Sequence, residues 1–426
     1  MKPEFTPQCG TLSSRPARQS WRVRAAVAFA GPFLCWMSAN GQTMIFGSGP
    51  RGEVHLVNSD LSVLEMGDPR TDLPCTVTPD KPELGFDMRF HAGYDVSVPL
   101  RELAGSDNLL TILFRVTSED GKGQPHYFTQ RVRVPFIEED SRGDATLQGE
   151  FDVGPGKYKV DWLMRDRSER VCSSYWDSEA APPPKDQTIT YTLRDGEIAE
   201  ASVDQFQEEP PVHRSAVEAL NVKVLINFAP QNSLSSRMQP VDTNALVSIL
   251  RTISREPKIG RFSVTAFNLQ QQKILYRQEG TDRIDFPALG EALNSVKLGT
   301  VGVQQLAEKH GDTQFLTNLI QEEAGSAAQH PDALVFAGPK VMLDENVALD
   351  SLKQVGELSF PVFYMNYNRN PQAVPWRDAI GRAVKFFRGY EYTISKPRDL
   401  FFAVNEMVSH IVKSRNERVV SAISSH

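Results

Sequence analysis

The spacing of hydrophobic positions changes about half-way along the chain. Up to about residue 192, apolar and polar residues alternate, which is typical of strands with one buried face. The clearest strands are 109–116, 127–134, 147–153, 157–164 and 170–176. The first two flank the glycine-containing stretch 119–123 and the next two flank 154–156, so each pair is predicted to form a hairpin. Residues 42–180 therefore predict an antiparallel β-sandwich of the immunoglobulin-like kind, with Trp162 and Cys172 sharing its core.

Residues 181–219 differ from the sequence on either side. They contain Pro182-Pro183-Pro184, one strand candidate at 188–193, and an acidic stretch that ends in Glu208-Glu209-Pro210-Pro211. Prolines and like charges resist burial, so this segment is predicted to be a semi-extended linker between two domains.

From residue 220 to 413, short apolar runs alternate with segments of helical period. The predicted strands are 222–228, 262–267, 273–276, 333–337, 361–366 and 390–394, and the predicted helices are a segment after Asp242, 285–296, 313–324, 376–388 and 399–412. This alternation indicates an α/β domain with a doubly wound, mostly parallel sheet of the Rossmann-like kind and helices on both faces. Residues 262–276 are expected to form a hairpin at the sheet edge.

Two helices of this domain have clear apolar stripes. The first shows Leu246, Ile249, Leu250 and Ile253 on one face, and Asp242 is expected to cap it. The last is predicted to bury one face, which carries Leu400, Val404, Met407 and Ile411. Residues 414–426 are predicted to be a C-terminal tail.

The first 41 residues have the order of a cleavable signal peptide. A region containing Arg15, Arg18, Arg22 and Arg24 precedes the apolar run 25–37 and the small residues Ala39-Asn40-Gly41. The apolar run is shorter than the roughly 20 residues that span a bilayer, so cleavage before Gln42 is favoured over a membrane anchor. We therefore expect an exported protein, periplasmic or secreted, with no integral membrane segment in its mature form.

Removal of the signal peptide changes the net charge of the chain and the number of its cysteines. The net charge is −7, and residues 1–41 hold five basic and one acidic side chain, so the mature chain carries about −11. Such a surface is a poor match for nucleic acid, whose binding draws on clustered Lys and Arg. Cys9 and Cys35 leave with the signal, and the remaining Cys75 and Cys172 are predicted to form a disulfide in an oxidising compartment.

The order of elements after residue 220 resembles the von Willebrand factor type A fold, in the VWFA-related variant of exported bacterial proteins. The resemblance covers the strand 222–228, the predicted helix after Asp242, Gly311-Asp312-Thr313, Phe336-Ala337-Gly338 and the segment 397–400. It implies a divalent-cation site with carboxylate and hydroxyl ligands. The family's ligand positions fall on Asn227, Ala229, Gln231, Thr313 and Ala337. Only Thr313 matches, so the site is interpreted as degenerate, with no metal and no other cofactor.

Other chemistry-bearing residues form no recognisable catalytic motif in the sequence. The histidines show no zinc-ligand spacing, and Ser173-Ser174 and the serines at 233–236 lack a nucleophile elbow. The charged run 165–170 is interpreted as cross-strand ion pairs rather than a recognition patch.

One candidate binding cluster follows a predicted strand at its carboxyl end, where doubly wound folds bind ligands. It consists of Tyr364, Tyr367, Asn368 and Arg369. Aromatic and arginine residues are typical of interface hot spots, although a loop packed on its own core is an equal alternative.

We therefore expect a non-enzymatic recognition or scaffold protein that binds a protein partner through its type A-like domain. Two alternatives stay open. One is a metal-dependent adhesion module that recruits Asp242 or Asp312, and the other is a hydrolase whose site assembles only in three dimensions.

Overall fold

The computed structural model describes residues 43–45, 57–105, 108–120, 124–186, 188–201, 205–214, 219–231, 238–295, 311–325, 331–340, 343 and 347–424. They belong to a single compact unit, Ala39–His426. The predicted signal peptide 1–41, with Cys9 and Cys35, lies outside the described residues, as do the serines at 233–236.

The N-terminal part consists of two antiparallel sheets. Its elements are β1 (Thr43–Ile45), α1 (Asn58–Met66), β2 (Thr76–Leu84), β3 (Phe90–Pro99), β4 (Asn108–Ser118), β5 (His126–Val134), β6 (Asp144–Val153), β7 (Gly156–Arg165), β8 (Val171–Ala180) and β9 (Ile198–Glu200). One sheet has the order β1-β5-β4-β7-β8 and the other β2-β3-β6-β9. The predicted antiparallel β architecture is thus present, and β4 with β5 forms the first predicted hairpin.

The second predicted hairpin is wrong. β6 and β7 follow each other directly, but β6 pairs with β3 and β9, whereas β7 pairs with β4 and β8. The turn at Gly154-Pro155 carries the chain from one sheet to the other. A Cβ on Gly154 would lie 1.8 Å from the carbonyl oxygen of Arg194, so the close approach of the two backbones requires glycine there.

Aromatic side chains join the two sheets. Tyr94 of β3 contacts Phe114 and Trp162 edge to face, with ring centroids 5.6 and 5.4 Å apart, and Phe151 of β6 lies against Phe114. Such contacts add to the apolar area that these rings bury. Trp162 and Cys172 are both buried, as the sequence predicted. Helix α1, which the sequence did not predict, covers the outer face of β7 through Val63 and Leu64.

The predicted Cys75–Cys172 disulfide is confirmed. It ties the residue that precedes β2 to β8 of the opposite sheet, and the two Cα atoms are 6.2 Å apart. The closed loop spans a sequence separation of 97 residues, so the bridge strongly restricts the unfolded chain.

The segment 181–219 is packed rather than linker-like in its described residues. It supplies β9 to the second sheet and buries Ile189, Leu193 and Ile198, while 188–193 is not a strand. Apolar side chains at every few positions make this burial favourable despite the prolines. The prediction of a semi-extended linker is therefore wrong.

The C-terminal part contains one six-stranded sheet. Its elements are β10 (Leu220–Asn227), α2 (Pro240–Ser254), β11 (Ile259–Asn268), β12 (Lys273–Thr281), α3 (Phe286–Asn294), α4 (Gly311–Gly325), β13 (Ala333–Pro339), α5 (Leu349–Val355), β14 (Val362–Tyr367), α6 (Ala379–Phe386), β15 (Tyr390–Ile394) and α7 (Pro397–Ser424). The order is β12-β11-β10-β13-β14-β15, and only the edge strand β12 is antiparallel. Counted within this part, the order 3-2-1-4-5-6 is the one found in doubly wound folds.

Helices cover both faces of this sheet, as predicted. One buried cluster joins β10 and β13 to α2, α3 and α7, and a second joins the opposite face to α4, α5 and α6. Leu400, Val404, Met407 and Ile411 are all buried. Helix α7 continues to Ser424, so most of the segment assigned to a tail is helical. Arg415 and Arg418 hold this extension against Asp332, and Arg415 also donates to the carbonyl of Ala219.

Candidate functional site

The topological switch point of the sheet lies between β10 and β13, where Asn227 ends β10. Asn227 is fully buried, and its Oδ1 accepts hydrogen bonds from the backbone N–H groups of Ala229 and Leu269, each at 3.1 Å. Its Nδ2 has no hydrogen-bond partner among the described residues. A Cβ on Gly338 would lie 2.9 Å from the Cβ of Asn227, so β13 passes close to it. The group left unpaired at this point is a donor, which does not suit a cation.

The other degenerate positions add little to a cation site. Ala229 and Ala337 are buried and offer no side-chain oxygen, while Gln231 is exposed. Thr313 lies in the first turn of α4, where its backbone N–H donates to Asp312 Oδ1 at 2.7 Å.

Asp242 does not cap α2, because that helix begins at Pro240 and Gln239 occupies the N-cap position. Its Oδ1 accepts the hydroxyl of Tyr367 at 2.9 Å and lies 3.9 Å from Arg369. This carboxylate therefore already has two polar partners within the protein.

The four predicted binding residues split into a buried and an exposed group. The buried Tyr364 donates its hydroxyl to Asp378 at 2.9 Å. Burial raises the pKa of Tyr364 far above the ordinary value, and the negative charge of Asp378 raises it further. Tyr367 is also buried, and Asn368 is fully enclosed with its Nδ2 donating to the carbonyl of Val374. Only Arg369, with 56 % of its side chain exposed, is available to a partner. Of the two interpretations, packing into the core therefore describes the other three, of which Tyr364 and Tyr367 belong to β14 and Asn368 follows it.

The loop 369–377, which follows β14 and Asn368, is held in place by a buried lysine. Lys340, only 5 % exposed, donates to the carbonyls of Val374 and Trp376 at 2.9 and 2.8 Å. The neighbouring Trp376 is 50 % exposed, and Arg377 pairs with Glu391 of β15 at 2.7 Å. A charged donor that bonds two carbonyls fixes the loop more firmly than neutral hydrogen bonds would. An exposed tryptophan therefore stands on a fixed loop beside the switch point.

The charged run 165–170 forms ion pairs, as predicted. Arg165 lies 2.6 Å from Glu169 and 3.3 Å from Asp60 of α1, and Arg170 lies 2.9 Å from Asp166. The Arg165–Glu169 and Arg170–Asp166 pairs lie around the β7–β8 turn and the Arg165–Asp60 pair joins β7 to α1, so the prediction that they cross between strands is wrong.

A second polar cluster lies in the N-terminal part and was not predicted. His91 Nδ1 is 2.8 Å from Asp152 Oδ1, its Nε2 is 3.1 Å from Asp87 Oδ1, and Arg89 lies 3.1 Å from Asp152 Oδ2. Burial disfavours the imidazolium, but the hydrogen bonds to Asp152 and Asp87 outweigh it and raise the pKa of His91 to about 10. The side chains of Asp87, His91 and Asp152 lie close enough together to surround a metal ion. Because the two carboxylates occupy opposite ring nitrogens, the arrangement fits a doubly donating imidazolium better than a metal ligand.

This cluster borders a cleft of about 1310 Å3. The cleft lies between the sandwich, α2, α7 and the described residues 190–201 and 205–212 of the segment 181–219, here called the connecting segment. Its lining includes Glu150, Tyr191, Ser248, Arg251, Phe401 and Asn405. Glu209 of the connecting segment forms part of the wall, where it pairs with Arg251 of α2 and, at 2.6 Å, with Arg255 at the C-cap of that helix. Pockets that join two parts of a fold are frequent ligand sites.

Sequence reasoning missed these features for different reasons. His91 and Asp152 are 61 residues apart and meet only because β3 and β6 pair in that register. Trp376 was treated as a helix start, whereas α6 begins at Ala379. The charge of Lys340 directly after a fully buried strand was the one signal that could have been noticed.

Within the part of the chain that the structure describes, none of the helices combines the length and apolar character needed to cross a bilayer.

Comparison with known proteins identifies no family. No family model matches the chain, and no curated relative does. A PilB minor pilin of Streptococcus sanguinis shares 8 % identity over 82 % of this chain and 80 % of its own, with a TM-score of 0.26. A superoxide reductase of Ignicoccus hospitalis shares 12 % identity over 27 % and 84 %, with a TM-score of 0.16. The structural-genomics target SoR45 shares 12 % over 29 % and 97 %, with a TM-score of 0.19. Similarity at this level carries no functional argument.

Proposed function

We propose that this chain is an exported recognition protein whose type A-like part binds a protein partner without a metal ion, through the loop 369–377. The observation that carries the proposal is the exposed Trp376 on a loop that Lys340 fixes by two charged hydrogen bonds. Tryptophan and arginine dominate interface hot spots, and a rigid loop loses little conformational entropy when it binds. Arg369 and Arg377 flank the tryptophan on the same loop.

The donor chemistry of the switch point supports binding without a metal. The Asn227 oxygen is already engaged by two backbone groups, and Asp242 is engaged by Tyr367. A divalent cation prefers several oxygen ligands that include carboxylates. Export is supported by the Cys75–Cys172 disulfide, since such bridges persist in oxidising compartments.

The interface is tested by site-specific photo-crosslinking in the native cell envelope. A photoreactive residue at Arg369 should give a discrete crosslinked protein, and Trp376→Ala should abolish it, because hot-spot truncation costs about 2 kcal/mol or more. The same photoreactive residue at Glu65, exposed on α1, is the control. Crosslinks of equal yield at both positions, or crosslinks that persist in Trp376→Ala, would refute the interface.

The proposal that this part of the chain binds no metal ion is tested by calorimetric titration with Mg2+, Mn2+ and Ca2+. We expect no saturable heat. Micromolar binding that Thr313→Ala abolishes would show instead a metal-dependent adhesion module.

A further inference from the structure

Ser248 on α2 is a buried hydroxyl that faces the large cleft. It is 1 % exposed, it lines the cleft, and its Oγ has no hydrogen-bond partner among the described residues. An unpaired buried hydroxyl is unfavourable, so a ligand that bonds to it recovers that free energy. The loop 369–377 shares no lining residue with this cleft, which makes it a separate site.

We infer that this cleft binds an extended peptide segment that carries a basic side chain. This goes beyond the proposed function, because it adds a second binding site with its own ligand chemistry.

The uncharged part of the wall suits a peptide main chain. Asn244 and Ser248 lie one turn apart on α2, and Asn405 of α7 lines the same cleft. Amide and hydroxyl groups both donate and accept, as peptide N–H and C=O groups require. Tyr191 and Phe401 add apolar surface. A volume of about 1310 Å3 is larger than a compact small-molecule pocket needs, and it accommodates an extended chain.

The charged part of the lining favours a basic side chain. Arg251 and Arg255 share the carboxylate of Glu209, which offsets one of their two positive charges within the wall. Over the whole lining the acidic residues still outnumber the basic ones. The acidic residues are Asp87, Glu150, Glu200, Glu208, Glu209 and Glu256, and the basic ones are Arg89, His91, Arg251 and Arg255.

Glu150 lies among several carboxylates, with His91 Nδ1 3.5 Å away. Burial raises the pKa of Glu150, His91 lowers it, and the carboxylates of Asp152 and Asp87 raise it further, so that the pKa stays above its ordinary value. A ligand ammonium or guanidinium would relieve this crowding of negative charge.

The test measures retention of synthetic peptides by the immobilised full chain. One randomised pool has lysine fixed at its centre, and the matched pool has glutamate there. We expect the lysine pool to be retained at least about tenfold better, since electrostatic complementarity selects the partner. Glu150→Gln should reduce this preference about fivefold, while Glu65→Gln on α1 should leave it unchanged.

Ser248→Ala separates a binding role from a structural one. It should weaken retention about fivefold and leave the midpoint of thermal unfolding unchanged or higher, because it removes an unpaired hydroxyl. Ser62→Ala on α1 is the control. Equal retention of both pools, or equal loss with Ser62→Ala, would overturn the inference. Trp376→Ala should leave retention unchanged, so failure of this site and failure of the proposed interface are distinguishable.

Discussion

Replacing His91 by glutamine tests how much the Asp87–His91–Asp152 cluster stabilises the protein. The substitution removes a positive charge between two carboxylates, one of which, Asp152, is fully buried. Breaking such a buried pair from one side costs about 3–5 kcal/mol. The His91 side chain is 28 % exposed, so solvent weakens the interaction, and we expect a loss of about 2–4 kcal/mol at neutral pH.

The sign of the pH dependence follows from the direction of the shift. Hydrogen bonds to the two carboxylates raise the pKa of His91 from 6.5 to about 10 in the folded protein. The folded state therefore holds the proton more tightly than the unfolded state. This contribution to the free energy of unfolding is complete below about pH 6.5 and is lost as the pH rises through about 10.

The assay is urea unfolding followed by tryptophan fluorescence, at constant ionic strength across this pH range. The stability of the wild-type chain should fall with rising pH by up to about 1.4 kcal/mol per pH unit from this group, and His91→Gln should lack that slope. His213→Gln, at an exposed position of the connecting segment, should behave like the wild type. Parallel stability curves for the wild type and His91→Gln would refute the reasoning.

Three further changes test other contacts. Cys172→Ser, which opens the bridge to Cys75, should lower the free energy of unfolding by about 4 kcal/mol relative to the oxidised wild type in a denaturant titration, and the reduced wild type, as a control, should match the variant. Glu209→Gln should cost about 3 kcal/mol in the same titration because it leaves two arginines unpaired, whereas the exposed neighbour in Glu208→Gln should cost under about 0.5 kcal/mol. Lys340→Met should cost about 2 kcal/mol and speed amide hydrogen exchange in the loop 369–377, and unchanged exchange would contradict its anchoring role.

Local pattern was enough to predict most of the secondary structure and the change of architecture along the chain. The alternation in 109–134 and the apolar stripe of α2 report a buried face directly, and the structure buries those faces. Pairing between distant strands is not local, so the assignment of β6 and β7 to different sheets was missed. The hydrogen bonds of the Tyr364 and Tyr367 hydroxyls are not local either, because the carboxylates that accept them come from the N-cap of α6 and from α2.

The connecting segment shows why composition alone misled. Like charges and prolines resist burial only when no partner offsets them, and here the partners lie on other elements. Glu209 pairs with two arginines, one in α2 and one at its C-cap, and Asp186 lies 3.0 Å from Arg398 of α7. Ile189 of this segment and Met88 of the sandwich belong to the same buried cluster as α2 and α7. The segment therefore joins the two parts through a shared core, and the cleft that it borders has a wall fixed by ion pairs, which favours a preformed binding site.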